Sequence, residues 1–280
     1  MLSTKTKGIL CVFFAAFLYS FGGLCVKLIP WSGLSINSAR NIISLIVLGV
    51  YLFFTRHRLR FHRYILVGAL CVFGSNVLFT VSTKLTTAAN AIVLQFTAPI
   101  FVLILSMIFW KRKPKFLDVA TCFLVLSGVL CFFLDSLELG GLMGNILALF
   151  SGLAYAGVFL LNDMPDSDPI SSVFWGDLIS VIIGLPFLLQ ETVFTPTAIF
   201  SVTFMGAFQV AVAYILMCIG LRTTPAVTAS LISGIEPILN PILVALFYGE
   251  AVGPMALLGS VIVIGSVIGY NILKSRKQES

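Results

Sequence analysis

Ten apolar runs, each close to the length of a bilayer-crossing helix, leave this chain almost nothing else to be. They fall at about 8–28, 36–54, 64–81, 87–109, 117–134, 141–161, 170–188, 198–219, 226–247 and 254–272. Crossing the hydrocarbon takes roughly 20 helical residues. The runs are about twice the length of a barrel strand and lack period-2 alternation, so helices are the expected element. Only short connections remain between them, too short for a soluble domain.

Composition agrees. With 59% hydrophobic residues, 10% charged and a mean hydropathy of +1.09, the chain is far from a soluble domain, which is about half apolar and a quarter charged. Soluble enzyme, secreted disulfide scaffold and disordered tail are poor readings. The net charge of +6 would point to nucleic acid only if its cations formed a patch on a soluble fold. They do not. With the N-terminus inside, Lys5, Lys7, Arg56, Arg58, Arg60, Arg63, Lys111, Arg112, Lys113, Lys115, Arg222, Lys274, Arg276 and Lys277 all fall on the cytoplasmic side, as the positive-inside bias requires. Lys27 and Lys84 take the other side, and Arg40 lies within a span. An even number of spans puts both termini in the cytoplasm. The first run follows Lys5 and Lys7 but is too long for a secretory h-region, so it is read as an uncleaved span.

Six cysteines sit in apolar runs without C-x-x-C spacing, so neither disulfides nor a metal site are indicated. His57 and His62 lie in an Arg-rich connection and are read as solvated or headgroup-facing.

The chain repeats itself. Gly68–Phe109 aligns on Gly206–Phe247 without a gap at an offset of 138, with about a dozen identities in 42 positions. The informative matches are Gly68/Gly206, Thr86/Thr224 and Pro99/Pro237. An offset of 136 extends the match upstream and pairs Tyr19 with Tyr155, Asn41 with Asp177 and Ser44 with Ser180. Each half, 1–137 and 138–280, then holds five spans. Five is odd, so the second half enters from the opposite side. The expectation is an all-α integral membrane protein of ten transmembrane helices in two inverted five-helix repeats. In such folds substrate binds near the midplane, between the repeats, beside interrupted helices.

Pro99 and Pro237 are the matched interruptions. A proline within a helix cannot donate to the carbonyl four residues back, which frees the carbonyls of Gln95 and Ser233. Pro241 then frees that of Pro237. Freed backbone at this depth needs protein or a wet cavity around it, unless the prolines merely curve the bundle.

Three charges fall inside spans: Arg40, Asp177 and Glu236. A central charge costs roughly 2.5–3.5 kcal/mol on insertion scales and marks a cavity or a partner. Arg40 and Asp177 lie near opposite ends of their spans, so they are not expected to pair and each is expected to snorkel to its own interface. Glu236 lies about ten residues into its run, beside Pro237 and one turn before Asn240. It is read as a group that meets a substrate amine or carries a proton; the bland reading is a carboxyl tied to backbone freed by the prolines. Depth and repeat symmetry add Tyr19, Tyr155, Asn76, Tyr214, Gln209, Asn90 and Gln95 as candidate substrate-binding residues, and Asn240 joins them beside Glu236. For any single amide among them an interhelical hydrogen bond, worth about 0.6 kcal/mol, is the simpler reading. The set matters because it gathers on the proline-bearing spans. Asp166 and Asp168 form a D-x-D between two prolines, read as a solvated turn with divalent-cation binding as the sharper alternative.

The stretch Ser233-Gly-Ile-Glu-Pro-Ile-Leu-Asn-Pro241, followed by Tyr248-Gly-Glu250 and by Gly259 and Gly265 in the last span, resembles the EamA family of the drug/metabolite transporter superfamily. Thr97-Ala-Pro99 fits in the first half, whereas Arg112 stands where the family often has a second glutamate. The resemblance spans nearly the whole chain. It implies a bacterial-type inner-membrane carrier without ATP hydrolysis, cofactor or nucleic-acid partner, working by alternating access. Its expected partners are the bilayer, a small polar metabolite and, as an option, a coupled proton. Export or facilitated exchange of amino acids or related compounds is the leading expectation. Import of a sugar, nucleoside or cofactor is the alternative, and a lipid-modifying enzyme using Asp166 and Asp168 is a more distant one.

Overall fold

A computed structural model describes residues 3–86, 88–133, 141–239, 243 and 254–279. Asn240, Pro241 and Glu250 lie outside the described residues. Within them every regular element is helical: α1 Thr4–Tyr19, α2 Gly22–Leu28, α3 Gly33–Thr55, α4 Arg63–Leu85, α5 Ala88–Gln95, α6 Ala98–Trp110, α7 Phe116–Phe133, α8 Leu142–Phe159, α9 Pro169–Leu188, α10 Pro196–Phe204, α11 Ala213–Leu221, α12 Ala226–Ile232 and α13 Pro254–Glu279. Seven segments are long and apolar enough to cross a membrane, and three shorter apolar helices are Phe116–Cys131, Ala226–Leu239 and Val261–Tyr270.

Local chemistry sets the boundaries. Ser32, Asp168 and Thr195 each accept from a backbone N–H three residues on, capping α3, α9 and α10. Pro169 and Pro196 begin two of those helices, where a missing N–H is harmless. Arg56 and Lys111 turn left-handed at φ 51° and end α3 and α6.

Among the described residues, three of the apolar runs are not continuous helices. The first breaks at Ser20–Phe21, between α1 and α2. The fourth breaks at Phe96–Thr97, and Pro99 sits in the first turn of α6. The ninth passes through a 3₁₀ turn at Ser233–Ile235, and Pro237 sits in the first turn of the helix resuming at Glu236. The prolines therefore start new helical pieces rather than interrupting old ones. The Ser233 carbonyl is taken by the Glu236 N–H, while that of Gln95 lies against Gly152 of α8, where a Cβ would come within 2.7 Å of it. The eighth span contains a π-helical stretch, Met205–Val212, between α10 and α11.

The packing pairs are α4 with α8 and α9, α5 and α6 with α8, α1 with α11 and α12, α3 with α9 and with the π-helical stretch, and α7 with α13. The core runs through Val12, Tyr19, Leu48, Val72, Tyr155, Val210 and Tyr214. Large apolar side chains such as Phe53, Phe54, Phe116 and Leu142 are exposed, all by more than 70%. An outer surface of that kind suits lipid rather than water.

Candidate functional site

Near the middle of the bundle a small cavity is lined by Tyr19, Arg40, Ser75, Asn76, Phe79, Gln95, Tyr155, Gln209, Tyr214 and Glu236. Asn76 marks its depth, lying close to the centre of α4. The cavity volume is about 30 Å³, enough for a water or two at about 10–15 Å³ each by that measure. Eight of the ten lining residues are buried, so the site is contracted and shielded in this conformation.

Arg40, only 1% exposed, organises one side. Its Nη2 donates to Asn37 Oδ1 (3.0 Å), the Asn76 carbonyl (3.2 Å) and Asn76 Oδ1 (3.3 Å), and its Nη1 donates to Gln209 Oε1 (3.4 Å). Tyr214 Oη donates to the same Asn76 Oδ1 at 3.4 Å. On the other side Tyr155 Oη donates to Glu236 Oε2 at 3.4 Å. Tyr19 bridges the two sides, edge-on to Tyr214 at 5.6 Å and to Tyr155 at 6.2 Å.

Helix breaks place these groups. Tyr19 ends α1 at the break. Gly22 begins α2 and leaves room for Gln209, whose Nε2 would lie 2.7 Å from a Cβ there. Gly206 lets the π-helical stretch rest on the Arg40 carbonyl and on Ile43. The extra residue per turn in that stretch re-aims Gln209 toward Arg40, a common use of π-bulges at functional sites.

Both ends of the bundle are cross-braced. At the basic end Arg112 grips Asp163 with two hydrogen bonds of 2.9 Å, and Trp110 Nε1 donates to the Asp163 carbonyl at 2.6 Å. The hydrogen bonds to Asp163 hold the Arg112 guanidinium above its ordinary pKa. His57 meets Asp168 at 2.9 Å, and Trp175 Nε1 donates to the Arg60 carbonyl at 2.9 Å. At the opposite end Trp31 Nε1 donates to the Val193 carbonyl (2.6 Å), Ser32 N–H to Glu191 Oε1 (2.9 Å) and Lys84 Nζ to the Ile29 carbonyl (2.7 Å).

A larger cavity, about 890 Å³, opens between α4, α6 and α8. Exposed apolar residues such as Val67, Leu70, Phe109 and Phe150 line it, and they offer no convergent polar groups to orient a polar ligand.

The model of the family described as EamA-like transporter matches the chain twice, over residues 6–134 and 142–272. The chain belongs to the EamA-like transporter family. Among its relatives, an "Uncharacterized transporter" of Clostridium kluyveri is 29% identical over 74% of this chain and 71% of that protein. The "Uncharacterized transporter YwfM" of Bacillus subtilis is 27% identical over 77% and 75%. One solved crystal structure superposes with a TM-score of 0.81 at 16% identity, covering 98% of this chain and 99% of that one, a likeness of fold. An EamA-like chain with these apolar helices is an integral membrane protein, and its kind is a transporter.

Of the residues singled out in the EamA-like sequence, Glu236, Gln95, Asn76, Gln209, Tyr19, Tyr155 and Tyr214 meet at the central cavity. Asn90 does not line it. Its Nδ2 donates to Asn145 Oδ1 and Thr86 Oγ1, both at 3.3 Å, an interhelical contact at the head of α5.

The expected snorkelling of Arg40 and Asp177 is overturned, because they are 1% and 0% exposed. Neighbouring polar groups make interior burial possible: the amides around Arg40, and for Asp177 the Ser44 hydroxyl, which donates to its Oδ2 at 2.6 Å. As expected, the two do not pair; the ion pairs among the described residues are His57–Asp168 and Arg112–Asp163.

The solvated reading of the acidic turn holds for Asp166 and is corrected for Asp168. Asp168 is buried, capping α9 through Ser171 and holding His57, whereas Asp166 is exposed at φ 48°. Among the described residues no group of three or more His, Cys, Asp or Glu is placed to hold a metal ion.

Ser75, Phe79 and Arg40 line the cavity without having been named as candidates, and Arg40 is the charged one. The signal was there, since an arginine inside a span faces either an interface or a cavity. Its depth favoured the interface, and its helix face, which the depth does not give, decided for the cavity.

Proposed function

We propose that this chain is a secondary transporter that moves small polar metabolites by alternating access through the central cavity. Amino acids or related compounds are its substrates, and efflux or facilitated exchange is its mode. The observation that carries the reading is a shielded polar cavity between broken spans, lined by one guanidinium and one carboxyl group. Intramembrane ionisable groups of this kind mark transport paths.

The packing supports two inverted repeats of five spans. Moving each partner by five spans turns the pairing of α4 with α8 into that of α11 with α1. The same operation turns α4 with α9 into the π-helical stretch with α3, and α5 with α8 into α12 with α1. The pairs α3–α9 and α7–α13 map onto themselves. Two successive family matches support the same division. The positive-inside bias favours a basic, cytoplasmic end carrying both termini, in the bacterial cytoplasmic membrane. Glu236 meets the substrate amine or carries a coupled proton, Gln95, Asn76 and Gln209 offer hydrogen bonds, and Tyr19, Tyr155 and Tyr214 close the cavity. Comparing metabolite accumulation in cells with and without this protein tests the substrate class. A change confined to amino acids and their derivatives supports it, and no change in that class discards it.

A further inference from the structure

The guanidinium of Arg40 is ionised at any working pH, and it is buried inside a membrane bundle with no carboxylate in contact, Asp177 acting on it only through space. All four of its acceptors are neutral oxygens, from Asn37, Asn76 and Gln209. Among the described residues no carboxylate comes within 4 Å of it, Asp177 included. Its Nε has no acceptor, and neither does Asn76 Nδ2 beside it, although both atoms are buried. A buried cation left this way is costly, and unused donors at a cavity wall match a ligand that brings acceptor oxygens.

The other wall is the converse. Glu236 presents a carboxylate, an acceptor-only group when ionised, whose one hydrogen bond among those described is the 3.4 Å contact from Tyr155. A solely cationic ligand would leave Arg40 uncompensated, and a solely anionic one would meet Glu236. A dipolar ligand answers both walls at once.

Building on the transport reading, we propose that Arg40 is the anion-binding end of the cavity and Glu236 the cation-binding end, so that the substrate is a zwitterion bearing both a free carboxylate and a free ammonium group. Arginine suits the first role because its planar fork matches a carboxylate with two parallel hydrogen bonds. Asn76 and Gln209 hold that fork in place.

The test uses the purified full-length protein and the twenty L-amino acids, each with its methyl ester and its N-acetyl derivative. Thermal stabilisation in detergent and counterflow in proteoliposomes are both read. The amino acids that bind should lose roughly ten- to hundred-fold in apparent affinity when either charge is masked, the scale of one charged hydrogen-bonded contact. Arg40→Gln should lose the response to the free amino acid, and Arg40→Lys should restore part of it. Because the masked compounds are tested on the wild-type protein, a failure of either variant to fold leaves the result readable. Esters that bind as well as their parent amino acids overturn the assignment of Arg40 while leaving amino-acid transport standing. If no amino acid stabilises the protein or exchanges, the transport reading falls for that class and the zwitterion site falls with it.

Discussion

Tyr214 donates its hydroxyl to Asn76 Oδ1 at 3.4 Å, and the two residues stand 138 positions apart. That is the offset at which Gly68–Phe109 aligns on Gly206–Phe247. Tyr19 and Tyr155, matched at the upstream offset of 136, also touch, edge to face at 6.2 Å. Under the proposed inverted repeat, residues related by its two-fold operation meet each other only near the axis. Both contacts border the cavity, which is where the proposed repeat would place a midplane site.

The Tyr155–Glu236 contact is one neutral donor on one acid, so its removal should be mild. Tyr155→Phe is expected to cost about 1 kcal/mol of interaction and to lower transport several-fold, with the detergent Tm nearly unchanged. A transport rate equal to wild type would show that the contact is incidental.

Two glycines separate positioning from packing. At Gly22 an added Cβ meets the flexible end of Gln209, whereas at Gly206 it meets the Arg40 backbone carbonyl. Gly22→Ala should therefore reduce transport by displacing the Gln209 amide, with little loss of stability. Gly206→Ala should be the more destabilising, by about 1–3 kcal/mol as overpacking usually is. Thermal melts of the two variants, run beside transport assays, check the order; equal Tm losses would contradict it.

The aspartates of the 166–168 turn should behave differently from each other. Asp168→Ala removes the α9 cap and the His57 contact and should lower stability by about 0.5–2 kcal/mol. Asp166→Ala touches an exposed side chain and should leave transport and Tm unchanged. Metal-dependent turnover of a lipid substrate, lost in Asp166→Ala, would favour the enzyme reading instead.

Much of the fold was legible because the bilayer leaves so few solutions. Apolar run length marked the helical segments, seven of them long enough to cross a membrane, and the two matched prolines marked breaks just ahead of each, at Phe96–Thr97 and at Ser233–Ile235. The break after Tyr19 has no proline to announce it, and Gly22 explains it only once Gln209 is seen against it. The π-helical stretch was equally silent, since Met205–Val212 reads as ordinary apolar helix. Asn90 and Arg40 were misjudged for one reason: sequence position gives depth along a helix, but the face is fixed by packing against α8 in one case and around the cavity in the other.

The exposed Arg112–Asp163 pair should matter little to stability, since surface ion pairs contribute about 0–1 kcal/mol. Arg112→Ala is expected to keep its fold, with Tm within a small shift of wild type, while loosening the basic end through the joint loss of two 2.9 Å bonds. Faster hydrogen exchange in the 161–168 connection checks this; unchanged exchange there would show that Trp110 and His57 hold that end by themselves.

A cavity that serves as the transport path makes counterflow in proteoliposomes depend on Glu236, which is read by comparing wild type and Glu236→Gln across pH. The substitution keeps the size of the side chain and removes its charge and its proton. Glu236→Gln is expected to fold, judged by its Tm, with transport abolished or its pH dependence lost. A variant with the wild-type rate and the wild-type pH profile would contradict it.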